Sequence, residues 1–167
     1  TASYMRQARD SVQRSTFVRG GKSRFSDVAL SVRDVDQVMF GLGVSKGFSA
    51  SQLSFSMSAN TDETIDAASP FSTDGYSASL TNIWFRPGGS QHTVAASFAR
   101  TTFEDTFFEL DREDEVLSLS VSSMWPDFPA NGWSTSAHVN YSVRDSTVGL
   151  FEFDRLEAGV SFRRVMD

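Results

Sequence analysis

The segment QLSFSMSAN, Gln52 to Asn60, alternates without a break: Leu53, Phe55, Met57 and Ala59 share one parity, and Gln52, Ser54, Ser56, Ser58 and Asn60 share the other. Side chains along a strand alternate faces, so this stretch makes one apolar face and one face of small hydroxyls and amides. The pattern recurs. Val38, Phe40, Leu42 and Val44 share a face; Tyr76, Ala78, Leu80 and Trp84 follow, with polar Asn82 on their parity. Val94, Ala96 and Phe98 come next, then Leu117, Leu119 and Val121 alternating with Ser118, Ser120 and Ser122. Trp133, Thr135, Ala137, Val139, Tyr141 and Val143 oppose Ser134, Ser136, His138, Asn140, Ser142 and Arg144. Leu156, Ala158, Val160 and Phe162 form a last strand, and Val28, Leu30 and Val32 an early one. Short alternating strands at regular spacing read as an antiparallel meander.

The connections add a second constraint. From about Gln37 onward, short ones (Gly47 to Ser51, Arg86 to Gln91, Pro126 to Gly132) alternate with long ones (Thr61 to Gly75, Thr102 to Asp114, Asp145 to Arg155). Alternate connections of an up-and-down meander lie at the same end, so one end is trimmed and the other elaborated. Outer-membrane barrels have that asymmetry, with apolar residues toward lipid and polar ones toward the lumen. Trp84, Trp125 and Trp133 flank short turns. Phe71, Tyr76, Phe103, Phe107, Phe108, Phe151 and Phe153 lie near the long connections. Two aromatic bands fit two membrane interfaces.

Composition excludes several function classes. The chain has 167 residues, a size suited to one domain. It carries no Cys, which removes disulfides and thiol catalysis. A formal charge of −6 argues against binding a phosphate backbone, and no apolar run reaches the roughly 20 residues of a transmembrane helix. The expected fold is therefore all-β: an antiparallel up-and-down transmembrane β-barrel of about eight strands, or part of a larger barrel. Eight strands counted from about Ser23 to Arg164 put both termini at the short-turn end, and an even number suits a closed bacterial barrel. Residues 1–22 then form an N-terminal arm or a remnant strand, and 23–167 the barrel domain. In a soluble barrel or sandwich the same apolar parity would point inward, but its outer face would carry Lys and Glu more often than Ser, Thr, Asn and Gln.

The parity assigns roles. Leu53, Phe55, Met57, Leu117, Leu119 and Val139 face lipid. Ser54, Ser56, Ser118, Ser120, Ser134, Ser136, His138 and Asn140 line the lumen. Trp84, Trp125, Trp133 and Tyr76 sit at the interfaces. Serines are too small to fill an eight-stranded interior, so the hydrated space they line is wider, or is completed by a loop or another chain. The loops around Asp66, Asp111 and Ser146 are expected outside the cell, and the Gly88 and Asn131 turns in the periplasm.

Chemistry-bearing motifs are sparse. His138 has Ser136 before it and Asn140 after it, the wrong order for the His and Ser pair of outer-membrane lipid hydrolases, and His92 is followed only by Thr93. The acidic run ELDREDE, Glu109 to Glu115, lacks the spacing of a calcium loop and reads as solvated charge. No catalytic residue, metal or cofactor is expected.

The stretch FFELDREDEVLSLSVSSMW and then GWSTSAHVNYSVRDSTVGLFEFDRLEAGVSFRR resembles the last strands of the C-terminal outer-membrane barrel in surface lipoprotein assembly modifier proteins. The likeness covers about the last third: an Arg and Asp loop, a Trp-led strand, a Tyr-x-Val and Asp-Ser segment, and a final strand after Phe-Asp-Arg. It implies movement of lipoproteins or other polypeptides to the cell surface. The chain departs from the family in lacking helical repeats and in ending FRRVMD. The expected function is a bacterial outer-membrane conduit or scaffold, the barrel part of a polypeptide or lipoprotein exporter. The alternatives are a soluble all-β binding module and an outer-membrane lipid hydrolase. Expected partners are outer-membrane lipid and lipopolysaccharide, with another protein chain or an exported polypeptide, and no nucleic acid.

Overall fold

In a computed structural model of the chain, residues 2–7, 12–24, 34–65, 72–104 and 110–164 are described, the first of these segments as backbone. They form one antiparallel sheet of nine strands in sequence order. The strands are β1 (Ala2–Gln7), β2 (Val12–Ser23), β3 (Val35–Gly47), β4 (Ser51–Thr64), β5 (Thr73–Phe85), β6 (Gln91–Phe103), β7 (Glu113–Pro126), β8 (Trp133–Ser146) and β9 (Phe153–Arg164). The last eight run twelve to fourteen residues each, and β1 has six. A single 3₁₀ turn, Gly149–Phe151, is the one helical element among the described residues.

The expected meander is present, and its register puts the sequence parities on common faces. One row runs Arg14, Val44, Phe55, Leu80, Ala96, Leu119, Tyr141, Leu156 across β2 to β9. The adjacent row of opposite parity runs Gln13, Ser45, Ser54, Thr81, Ala95, Ser120, Asn140, Glu157. A one-residue slip in any pairing would mix the two faces, so the alternation itself holds the register.

Neither face is packed into a core. Among the described residues Val148 is the one buried large hydrophobic, whereas Phe40 and Leu119 are each 48% exposed and Leu156 is 70% exposed. The accessible surface is 11723 Å², against about 8,200 Å² for a compact monomer of this mass by the usual scaling. An open single-layer sheet accounts for the excess.

Several expectations are corrected. The sheet is not closed: β1 and β9 are its edges, with no pairing between them. Two strands, β1 and β2, lie where an N-terminal arm was the alternative to a remnant strand, and the first described strand starts at the long-connection end, so the ends of the sheet's path do not share a side. The Val28 to Val32 strand lies outside the described residues. Strand ends extend into the long connections, which shrink to 65–72, 104–112 and 147–152, and the last of these is no longer than the 127–132 turn. Cross-strand bonding at the loop bases, such as Phe103 N–H to Arg112 O at 3.0 Å and Thr147 N–H to Glu113 O at 3.0 Å, accounts for the shortening.

Glycine marks two close approaches on the polar face. A Cβ on Gly41 would lie 2.2 Å from the Phe17 ring, and one on Gly159 would lie 2.5 Å from the His138 ring. Each ring comes so close to the neighbouring strand that only hydrogen leaves room.

Candidate functional site: a two-faced wall

The apolar face places every residue expected to meet lipid on one side. Leu53, Val94, Val121, Val139 and Ala158 form one row, Phe55, Leu80 and Leu119 the next, and Met57, Ala78, Phe98 and Leu117 the third. Leu53, Phe55, Met57, Leu117, Leu119 and Val139 are all exposed. Asn82 interrupts the first row between Leu53 and Val94, and Arg14 and Thr16 extend the second and third rows onto β2; the other charged groups of this face gather at its two ends.

At the short-turn end Trp84, Trp125 and Trp133 all stand on the apolar face, as their register partners Ser51, Thr135 and Arg164 require. Cations flank the aromatics: the Arg164 guanidinium lies 5.9 Å from the Trp133 ring, and the Lys46 ammonium lies 5.3 Å from the Phe48 ring. Such amphipathic rings with cationic neighbours suit a boundary between hydrocarbon and water. Sequence reasoning missed one pair here. His92 Nδ1 lies 2.9 Å from Ser123 Oγ, with the His92 ring edge-on to Trp125 at 6.1 Å. The residues are 31 apart in sequence and meet only through the β6–β7 register. None of the described hydrogen bonds or ion pairs gives His92 a carboxylate partner, so the pair lacks the orienting third group of a nucleophilic triad.

At the long-connection end the apolar face carries Tyr76, and Tyr141 donates to Asp154 at 3.1 Å. Arg100 is held by Glu113, with Nε to Oε1 at 2.7 Å, and by Glu115 at 3.1 Å. Within the acidic run, Glu113 and Glu115 on this face and Asp114 on the other are each paired with an arginine rather than left to repel one another. No group of residues able to hold a metal ion occurs among the described residues.

The opposite face is lined by hydroxyls. Ser54, Ser56, Ser118, Ser120, Ser134 and Ser136 lie on it with His138 and Asn140, and none of them is fully buried. Cross-strand serine pairs close into hydrogen bonds: Ser56 with Ser79 at 2.7 Å, Ser58 with Ser77 at 2.8 Å, and Ser136 with Ser161 at 2.8 Å. Since Ser136 pairs with Ser161 and the His138 ring lies over Gly159, those two residues form no catalytic couple.

A compact polar cluster caps this serine face at the long-connection end. Arg112 forks onto Asp114, which also accepts from Ser146 Oγ at 2.7 Å and lies 3.9 Å from Arg144 Nη1. The Arg112 guanidinium sits between two rings, 4.1 Å from Phe103 and 3.4 Å from Phe151, and Arg144 lies 4.9 Å from Phe153. This corrects the second aromatic band. Phe103 and Phe153 belong to the serine face through their partners Thr73 and Arg144, where they stack on the partly exposed guanidinium groups of Arg112 and Arg144. Of the band, Tyr76 remains on the apolar face at that end, in one row with Phe40 and with its ring 6.1 Å from that of Phe98; Phe71, Phe107 and Phe108 lie outside the described residues. No family model, curated protein or solved structure matches this chain.

Proposed function

We propose that this sheet is a stretch of wall from a bacterial outer-membrane β-barrel that acts as a conduit or scaffold. The observation that carries the reading is the division of one sheet into an exposed, predominantly apolar face and a face rich in serine, glycine and small polar residues. In water the apolar face would demand a covering layer; hydrocarbon supplies one without further protein. Strands of twelve to fourteen residues exceed the roughly 9–11 that a tilted strand needs to span. The aromatic and cationic rim at the short-turn end fits the periplasmic interface, and the long connections fit the cell exterior beside lipopolysaccharide.

The more specific role is the barrel part of a polypeptide or lipoprotein exporter, which rests on the resemblance of the last third of the chain. A soluble all-β binding module is disfavoured by Val148 being the sole buried large hydrophobic among the described residues. The test is to delete the coding region and compare polypeptides released by protease from intact cells. Loss of particular surface lipoproteins, with the membrane still impermeable, is expected. An unchanged surface complement would contradict the export role and leave a scaffold.

A further inference from the structure

The two edges of the sheet run the same way. Each strand is antiparallel to the next, so β1, β3, β5, β7 and β9 share one direction, from the long-connection end to the short-turn end. Bringing β9 against β1 would therefore make a parallel seam in an otherwise antiparallel wall. Among the described residues β1 pairs with Gln13 to Val18 of β2, and β3 with Val12 to Ser23.

If the wall stands in a membrane, as proposed above, neither edge can stay open, because hydrocarbon offers no partner to unpaired backbone groups. A second copy does not solve the problem. Two copies with their short turns on the same side would bring β9 against the partner's β1, again parallel. Pairing β9 with its own counterpart would be antiparallel, but the two-fold axis would turn one copy upside down in the membrane.

We infer that the wall is completed by an odd number of further strands from a segment of different sequence, the first lying antiparallel along β9 and rising from the short-turn end. That strand continues the rows of its neighbour, with apolar side chains beside Val160 and Phe162 and small polar ones beside Glu157 and Ser161. The inference rests on the membrane reading, and the serine face supports it independently. Nine or ten strands enclose an interior that side chains must fill, and serines fill it poorly, so a wider barrel of more strands suits them.

The test places a benzophenone photo-crosslinking amino acid at Glu157 or at Ser161 in the full-length protein in its native membrane. Adducts are mapped by mass spectrometry. A third probe at Ser136, between Met124 and Ser161, must give adducts with β7 and β9 and so establishes that the chemistry works. A fourth, at Phe55, reports lipid contact. The inference expects both β9 probes to mark one segment outside the nine strands, the residue found at Glu157 lying about four positions later than the one found at Ser161. Adducts with Ala2–Gln7 of the same or a second copy, lipid adducts at both β9 probes, no adduct beside an active control, or the reverse numerical order would each overturn it. Absence of lipid adducts at Phe55 would instead overturn the membrane reading, so the two failures are told apart.

Discussion

The guanidinium of Arg112 forks onto the carboxylate of Asp114, Nε lying 3.1 Å from Oδ1 and Nη2 2.6 Å from Oδ2, with the two side chains 12% and 7% exposed. The pair ties the base of one long connection to the strand that leaves it, and Ser146 and Arg144 bring β8 into the same knot. Removing one member of a nearly buried pair leaves the other charge uncompensated. Asp114→Asn should therefore lower stability by about 3 kcal/mol in urea unfolding. Arg155→Ala, which breaks a solvent-exposed pair with Glu157, should have no measurable effect. Equal effects from both substitutions would contradict the role assigned to the knot.

Phe55 and Ser56 are chain neighbours that point to opposite faces. Arg at Phe55 should destabilise the fold in liposomes by about 2–4 kcal/mol, the range for a cation on a lipid-facing strand near the midplane. Ser56→Arg should cost less, since its side chain meets the hydroxyl face. The comparison is made by the urea midpoint of folding into vesicles, and the reverse ranking would favour a soluble fold.

Much of this arrangement is readable in the sequence because hydroxyl and apolar residues alternate cleanly along β4, β7 and β8. A two-residue period survives any uncertainty about strand ends, which is why the faces of Leu53, Ser120 and Val139 follow from parity alone. The first strands are harder. In β2, Arg14 shares the apolar face while Phe17 turns to the serine face over Gly41, so Val12–Ser23 shows no clean alternation of apolar and polar residues and reads as an arm or a remnant strand. The Arg112 cluster and the His92–Ser123 pair have no sequence signal, because they depend on which residues the register sets side by side. Phe103 and Phe153 mislead for the same reason: position near a loop does not say which face a ring joins.

Topology offers a third check. Single cysteines at Asp111 and Leu150, in the long connections, should react with an impermeant thiol reagent on intact cells. Cysteines at Gly88 and Asn131, in the short turns, should react only after the outer membrane is opened. The native chain has no Cys, so the background is clean. Equal labelling at both ends would contradict the orientation.

Aromatic substitutions probe the serine face. Ser56→Phe and Ser120→Phe should fold with midpoints close to that of the parent protein, since no layer of described residues packs over this face, while reducing passage or partner insertion. Severe destabilisation by both would mean that the serines lie in a packed interior.

Spin labels placed singly from Leu53 to Ala59 in the membrane-inserted protein, and read for collision with oxygen and with a water-soluble nickel complex, test the central claim most directly. The account predicts a two-residue oscillation. Leu53, Phe55, Met57 and Ala59 should be oxygen-rich and nickel-poor, and Ser54, Ser56 and Ser58 the reverse. An oscillation of opposite phase, or none, would contradict a wall with lipid on one face and a hydrated space on the other.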